Sequence, residues 1–129
     1  MNDLDGLVAA AREVRAHAHA PYSGFFVGAA LSAGGRTFTG VNIENASYPL
    51  SVCAERNAVA AMVTAGELRV DAVAVVTDAP TPTPPCGGCR QVLSEFARPD
   101  TVVVSQTLAG QRAEWTVAGL LPDAFVFDR

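Results

Sequence analysis

Hydrophobic positions recur at helical spacing at the start of the chain, and strand-like apolar runs follow them. Apolar side chains in residues 3–19 lie three or four positions apart, which predicts an amphipathic helix. Pro21 ends that helix, because proline cannot continue the helical hydrogen bonds. The apolar runs 25–33 and 36–41 flank a pair of glycines, and this pattern predicts a β-hairpin.

The rest of the chain alternates between helical and strand-like patterns. The predicted elements are, in order, a polar loop at 42–51, a helix at 52–65, a buried strand at 70–78, an irregular proline-rich segment at 79–89, a helix at 90–96, a buried strand at 101–108, an edge strand at 113–117 and a short helical turn at 118–125. Helices that alternate with apolar strands indicate an α/β fold, in which helices cover a layered sheet. Ligands in such folds tend to bind where strand ends meet helix N-termini.

Composition and charge restrict the class of protein. A length of 129 residues predicts one domain, residues 1–129. Half of the residues are hydrophobic, which suggests a buried subunit interface, although many alanines also raise that fraction. A net charge of -4, with nine scattered basic residues, all of them arginine, disfavours a nucleic-acid partner. No apolar run approaches the roughly 20 residues of a membrane span, and the acidic N-terminal sequence is unlike a signal peptide, so we expect a cytoplasmic protein without a membrane partner.

The three cysteines change this general picture, because they lie near the predicted starts of two helices. Cys86 and Cys89 form a CxxC pair, which alone is a weak indication of a metal or redox site. Together with Cys53 they offer three thiolates, whose ionised forms the helix N-termini favour. A structural zinc site normally has four protein ligands, so three leave one position for a water molecule, whose pKa the metal lowers to about 7. The pattern therefore predicts a catalytic zinc site.

Two neighbours of Cys53 carry charges that suit such a site. Glu55 lies two residues after a metal ligand and can accept and return the proton of the water, which is general acid and base catalysis. Arg56 can donate to the thiolates and offset their negative charge. Separately, Glu55 could complement the helix dipole, Arg56 could be a surface cation and Cys53 a small buried residue. The combination with CxxC favours the catalytic interpretation.

These residues resemble the zinc-dependent nucleoside deaminases, whose signature is a ligand, any residue, a glutamate and later Pro-Cys-x-x-Cys. Here the signature is Cys53-Ala54-Glu55 and Pro85-Cys86-Gly87-Gly88-Cys89. The sequence is most similar to the small cytidine deaminases with three cysteines, and the resemblance extends through residues 21–31, 42–48, 85–96 and 120–125. It implies a three-layer α/β/α fold with a mixed five-stranded sheet and one zinc ion per subunit. It also implies that zinc-activated water deaminates cytidine and deoxycytidine, releasing ammonia.

The resemblance further assigns residues to the substrate. The implied contacts are Phe25 with the base, Asn42 and Glu44 with the ribose, the backbone of Ala54 and Glu55 with the pyrimidine edge, and the carbonyl of Pro85 with the exocyclic amine. Small members of the family form homotetramers, and Ala46, Tyr48 and Phe125 match residues that reach a neighbouring subunit's site. Two positions depart from the family pattern: Val41 replaces a frequent cysteine, and Phe26 follows Phe25 where a polar residue is common.

Two other functions stay compatible with the sequence. A zinc ion and a glutamate would serve the deamination of another aminated heterocycle, such as blasticidin S, although the sugar-binding pattern at 42–45 favours a nucleoside. A zinc-binding scaffold without activity would leave the position of Glu55 unexplained. Polynucleotide editing is disfavoured by the acidic charge and the lack of basic, aromatic surface patterns.

Overall fold

Five strands form one mixed sheet in the computed structural model, which describes residues 3–127. The strands are β1 (Gly28–Ala33), β2 (Arg36–Val41), β3 (Val70–Thr77), β4 (Ala97–Thr107) and β5 (Arg112–Thr116). Their order across the sheet is β2-β1-β3-β4-β5, and only the β3–β4 pair is parallel among these strands. The predicted mixed five-stranded sheet is confirmed.

Helices cover both faces of the sheet. They are α1 (Leu4–Val14), α2 (Ala54–Thr64), α3 (Gly87–Phe96) and α4 (Val117–Leu120), with 3₁₀ turns at Arg15–His17 and Tyr48–Leu50. Successive side chains of β3 point to opposite faces of the sheet. Ala74 packs with α1 on one face, and Val73 packs with α2 and α3 on the other. Because β3 lies in the centre and is buried on both faces, the fold has three layers, as the resemblance implied.

The first strand and the helix that carries the CxxC pair begin at different residues from those predicted. The strand expected from residue 25 begins at Gly28, because the peptide groups of residues 25–27 bond mainly to side chains instead of a neighbouring strand. The helix expected from residue 90 begins at Gly87, so that Cys86 is its N-cap and Cys89 lies in its first turn. The CxxC pair therefore belongs to the helix and not to the preceding irregular segment.

Other boundaries differ at element ends. The first helix stops at Val14 and gives way to the 3₁₀ turn, and the helix expected from Val52 begins at Ala54. Strand β4 begins at Ala97, because α3 ends there and the chain turns directly into the sheet. The helical turn expected at 118–125 is confined to Val117–Leu120. Terminal residues fray between helical and extended hydrogen bonding, which makes such ends hard to predict.

One edge of the sheet gathers the segments that carry the predicted site residues. Gly28 pairs with Val41 on one side and Val76 on the other, so β1 begins where β2 and β3 end. The chain leaving β2 leads through 42–53 into α2, and the chain leaving β3 leads through 78–86 into α3. The N-termini of both helices consequently lie at this edge, as expected for ligand sites in α/β folds. Among residues 3–127 there is no helix with the length and apolarity needed to cross a membrane.

Candidate active site

Three thiols converge where α2 and α3 begin. Cys53 and Cys86 are the N-caps of the two helices, and neither sulfur accepts a capping hydrogen bond from a backbone amide of its helix. The Cys53 Sγ lies 3.8 Å from the Cys86 Sγ, which lies 3.4 Å from the Cys89 Sγ. All three sulfur atoms lie within 4.8 Å of one another, and none forms a disulfide.

This arrangement fits zinc. Zinc bonded to thiolates at about 2.3 Å in tetrahedral geometry separates the sulfur atoms by about 3.8 Å, close to the distances observed. The protein places the sulfurs unequally with respect to solvent, since Cys86 is exposed and Cys89 is fully buried. The group is also short of a fourth protein ligand in the described chain, because His17 and His19 do not belong to it. Three ligands leave one position for water.

The environment favours ionised sulfur at the start of α2. Hydrogen bonding from Cys89, assisted by Arg56 and Cys86, lowers the pKa of Cys53 to about 5 against the effect of its partial burial. The interaction with Cys53 raises the pKa of Cys89, and burial adds to that increase. The lowered pKa of Cys53 favours zinc binding, since metal binding requires deprotonated thiols.

Glu55 lies in the first turn of α2 and is withdrawn from solvent. Its surface is only 6% exposed, and it lines the same cavity as Cys53 and Cys86. Burial raises the pKa of Glu55 to about 7, and the adjacent negative charge of Cys53 acts in the same direction. A carboxyl group with this pKa can both accept and donate a proton near neutral pH, as a general acid and base must. The structure thus gives the predicted catalytic residue a suitable environment.

Arg56 contacts the thiols from the same helical turn. Its Nη2 lies 3.7 Å from the Cys53 Sγ, and this contact raises the pKa of Arg56. Its Nε is buried and makes no hydrogen bond within the described part of the chain. The guanidinium is therefore placed where it can offset thiolate charge, the role that the sequence predicts.

A small cavity opens beside the thiols. Its volume is about 180 Å³ and its walls are mostly apolar. The residues lining it are Phe25, Val27, Asn42, Cys53, Ala54, Glu55, Val75, Thr77, Thr83, Pro84 and Cys86. A concave apolar pocket with a few polar groups at one end is typical of a small-molecule site. The structure therefore brings Phe25, Asn42 and Ala54 together with the zinc ligands and Glu55.

Asn42 connects the end of β2 with the segment that precedes β1. Its Oδ1 accepts a hydrogen bond from the Val27 backbone at 2.9 Å, and its Nδ2 donates to the Phe25 carbonyl at 2.7 Å. Each end of the amide still has capacity for a second hydrogen bond. Asn42 can thus shape the cavity and contact a ligand at the same time.

Glu44 is not among the residues that line the cavity, and it holds the turn that precedes residues 25–27. It accepts hydrogen bonds from the backbone of Tyr22 and Ser23 and from the Ser23 hydroxyl. The hydroxyl bond, followed by the backbone bonds, lowers the pKa of Glu44 despite the opposing effect of desolvation. A carboxylate has about four acceptor positions, so three such bonds leave room for a ligand hydroxyl. Its predicted role at the sugar is compatible with these contacts.

Pro85 is fully buried and does not line the cavity, although it immediately precedes Cys86. Its carbonyl accepts a hydrogen bond of 2.7 Å from Arg90 Nε, and Arg90 also donates to the Leu120 carbonyl. Arg90 thereby fixes the peptide next to the thiol and ties it to α4. This anchoring role was not predicted, although a cation placed one helical turn after a ligand is a usable indication.

The three residues assigned to neighbouring subunits lie apart from the cavity walls. Ala46, Tyr48 and Phe125 are all exposed, and Tyr48 and Phe125 have 80% and 70% of their surface open. Within the described chain, their side chains do not enter the pocket. Their contact with a neighbouring subunit's site stays a prediction.

Several lining residues were missed by the sequence interpretation. Thr77 ends β3, and its hydroxyl lies 3.2 Å from the Thr83 hydroxyl, so the proline-rich segment is held over the cavity. Thr83 and Pro84 of that segment line the cavity, as do Val75 of β3 and Val27, which precedes β1. The end of a buried strand followed by a rigid segment leading to Cys86 was the signal available.

Comparison with known proteins gives the family. The model of the cytidine and deoxycytidylate deaminase zinc-binding region matches residues 1–106. This chain belongs to that family. It is 48% identical to a cytidine deaminase of Halalkalibacterium halodurans over 124 residues, which cover 95% of this chain and 94% of that protein. A cytidine deaminase of Sporosarcina psychrophila is 45% identical over 124 residues, covering 95% and 91% of the two chains.

Solved structures of cytidine deaminases have the same fold. The protein from Burkholderia pseudomallei superposes with a TM-score of 0.91 at 44% identity, over 97% of this chain and 100% of the other. The protein from Mycobacterium tuberculosis gives a TM-score of 0.85 at 38% identity, over 98% and 100% of the two chains. The predicted recognition of a zinc-dependent deaminase is confirmed by the family match, and the cysteine cluster fits its metal.

Proposed function

We propose that this chain hydrolyses cytidine, and also deoxycytidine, to the corresponding uracil nucleoside and ammonia. The observation that carries the proposal is a buried carboxyl group, Glu55, that shares one small cavity with the converging thiols of Cys53 and Cys86. Family membership supports the same reaction, since relatives over nearly the whole chain are cytidine deaminases.

The residues divide the chemistry between them. Cys53, Cys86 and Cys89 would hold zinc, which when bound supplies a Lewis acid and lowers the pKa of a water molecule. Glu55 accepts the proton of the attacking water and delivers protons to the ring nitrogen and to the departing amine. The overall change consumes one water and replaces the amine with a carbonyl oxygen. Burial of Glu55 supports this role, because its raised pKa allows transfer in both directions.

The pocket walls orient the nucleoside. Phe25 packs against the base, and Asn42 and Glu44 bind the sugar hydroxyls with the hydrogen-bonding capacity that their loop contacts leave. The backbone of Ala54 and Glu55 reads the pyrimidine edge, and the second lone pair of the Pro85 carbonyl accepts from the exocyclic amine. Arg56 moderates the thiolate charge.

A homotetramer completes this proposal. Exposed apolar side chains at Tyr48 and Leu50 and at Phe125, Val126 and Phe127 support contacts with other subunits, because clustered exposed apolar groups are typical of interaction surfaces. Ala46, Tyr48 and Phe125 would then reach a neighbouring site. Sedimentation velocity would show a species of four chains, and a monomer with full activity would refute the shared site.

The remaining assignments concern organisation and location. The single sheet of residues 3–127 supports one catalytic domain over residues 1–129. Three free thiols that must ionise to bind metal support a reducing compartment, which we take to be the cytoplasm. Fractionation of cells that produce the protein would test this location.

Ammonia release from a panel of amines tests the reaction. Zinc-loaded protein would be incubated separately with cytidine, deoxycytidine, blasticidin S and adenosine. We expect release from the two cytosine nucleosides alone. Release only from blasticidin S would keep the role of Glu55 and refute the substrate, whereas no release from any of the four would favour a zinc-binding scaffold.

A further inference from the structure

Arg15 lies outside the cavity lining but contacts two segments that lead to it. Arg15 follows α1, in the 3₁₀ turn Arg15–His17, and its side chain is only 17% exposed. Its Nε donates a hydrogen bond of 2.7 Å to the Phe26 carbonyl, and its Nη2 lies 3.3 Å from the Asp78 carboxylate. Its guanidinium also lies over the Phe26 ring, 5.9 Å from the ring centre. A single side chain thus contacts two segments that border the cavity.

The two segments lead to different walls of the cavity. Phe25 and Val27 flank the peptide that Arg15 holds, and both line the cavity. Asp78 follows β3 at the start of the segment that supplies Thr83 and Pro84 to the opposite wall. The planar guanidinium suits this connection, because it presents several donors in fixed directions at once.

The 25–27 segment depends on side chains for its position. Asn42 bonds to the Phe25 carbonyl and the Val27 amide from one side, and Arg15 bonds to the Phe26 carbonyl from the other. Side chains alternate along an extended segment, so holding the Phe26 ring against Arg15 turns Phe25 toward the cavity. Phe25 is a lining residue and Phe26 is not, within the part of the chain described.

Arg15 itself has a rigid base. Its backbone amide caps α1 by donating to the Ala11 carbonyl. At Gly28, the first residue of β1, an added Cβ would lie 2.8 Å from the Arg15 Cβ, so this glycine lets the strand lie directly against the turn. The guanidinium therefore projects from a backbone that packing holds in place.

We propose that Arg15 is a positioning residue for nucleoside binding: it selects Phe25 over Phe26 as the cavity aromatic and ties that wall to the segment leading to Cys86. The inference rests on the proposed deamination. Arg15 is not in contact with Glu55 or the thiols, whose positions depend on α2 and α3. Loss of a wall that binds the ground state and the transition state equally raises KM and leaves kcat unchanged.

Steady-state kinetics of Arg15→Ala with cytidine provide the test. We expect KM to rise about 10-fold with kcat within about 2-fold of wild type, because a charged hydrogen bond that organises the wall is lost. Arg15→Lys should give a smaller KM rise, since an ammonium cannot reproduce the fork that bonds both partners. Asp78→Asn removes only the half-exposed ion pair, so its KM should rise least of the three.

Arg12→Ala is the matched control. Arg12 lies one turn earlier on α1, and its exposed side chain donates to the Leu108 carbonyl; neither residue lines the cavity. Its kinetics should equal those of wild type. Zinc content and thermal melting of every variant show whether the metal site and the fold persist, and Arg15→Lys carries the test if Arg15→Ala does not fold.

The outcomes separate this inference from the proposed function. Wild-type KM in Arg15→Ala, or a kcat loss as large as the KM rise, would overturn the positioning role. If wild type releases no ammonia from cytidine, the proposed function fails. Calorimetric binding of uridine then tests Arg15 independently, since weaker binding by Arg15→Ala than by Arg12→Ala supports the inference and equal binding refutes it.

Discussion

The two helices that meet at the site begin with the same cap residue in opposite surroundings. Cys53 precedes α2, whose first residues Ala54 and Glu55 are buried. Cys86 precedes α3, whose first residues Gly87 and Gly88 are exposed, with open space around the position of any added Cβ. The first turn of α2 is therefore buried, whereas the first turn of α3 begins with residues exposed to solvent.

The difference separates the two tasks of the site. Burial of the first turn raises the pKa of Glu55 to about 7, so the proposed proton transfer belongs to α2. An open first turn leaves Cys86 at the cavity rim, while Cys89, one turn further along α3, is fully buried and joins the metal site to the core. Metal sites gain precision when they are built on rigid elements, and here burial of one ligand supplies that rigidity.

The largest effect is expected from replacing the buried ligand. Cys89→Ser should abolish zinc binding and deamination, because a hydroxyl is a poor substitute for a thiolate. It should also destabilise the metal-free fold by about 1–3 kcal/mol, since a more polar hydroxyl would replace a fully buried thiol. Cys86→Ser should likewise lose the metal and yet unfold nearer to wild type in a metal-free denaturant titration. Equal stabilities of the two metal-free variants would contradict the contrast between buried and exposed ligands.

Replacing Glu55 should affect chemistry without affecting the metal. We expect Glu55→Ala to lower kcat by about 10²–10⁴-fold, the contribution typical of a positioned acid and base, while zinc stays at the wild-type level. Metal analysis together with ammonia release measures both quantities. Wild-type turnover would remove Glu55 from the mechanism. Loss of zinc would show that the carboxyl group supports the ligands.

The packing of α2 can be disturbed separately through Gly40 on β2. An added Cβ would lie 2.5 Å from the Ala54 carbonyl oxygen and close to the Ala58 amide, so Gly40→Ala should push α2 from the sheet. Overpacking of this kind costs about 1–3 kcal/mol, and displacement of Glu55 should lower kcat as well. Gly40→Ala should therefore lower both stability and kcat, although Gly40 is not adjacent in sequence to any cysteine.

Gly88→Ala is the matched change at the other helix. Its Cβ would meet open space, and the residue lies within α3 without a positive φ, so we expect a gain of about 0.5–1 kcal/mol from reduced backbone entropy. Thermal melting and kcat of the two glycine variants measure the contrast. A destabilised Gly88→Ala, or a Gly40→Ala variant equal to wild type, would show that the two helix starts do not differ as the structure indicates.

The same contrast explains what could be predicted from the sequence. Cys53, Glu55 and Arg56 lie within one helical turn, so their proximity follows from local geometry. The predicted bounds of the buried strand at 70–78 agree closely with β3, because apolar residues occupy both faces of this strand. The prediction of a strand at 25–27 is wrong. This segment is held by hydrogen bonds to Asn42 and Arg15, which are tertiary contacts that apolar spacing does not reveal. The wall formed by Thr83 and Pro84 was missed for the same reason.

Arg56 should give the smallest effect, because it assists the thiols without binding metal or moving protons. Its Nη2 contact of 3.7 Å with the Cys53 Sγ predicts that Arg56→Ala weakens zinc binding by about 10-fold, at the low end for outer-shell residues, with a milder loss of kcat than Glu55→Ala. Arg56→Lys should recover part of both, since a positive charge remains. Arg69→Ala, an exposed position just before β3, is the control and should match wild type. Competition with a chelator measures zinc affinity, and unchanged affinity and rate in Arg56→Ala would mean that the thiolate charge is offset by the helix N-termini alone.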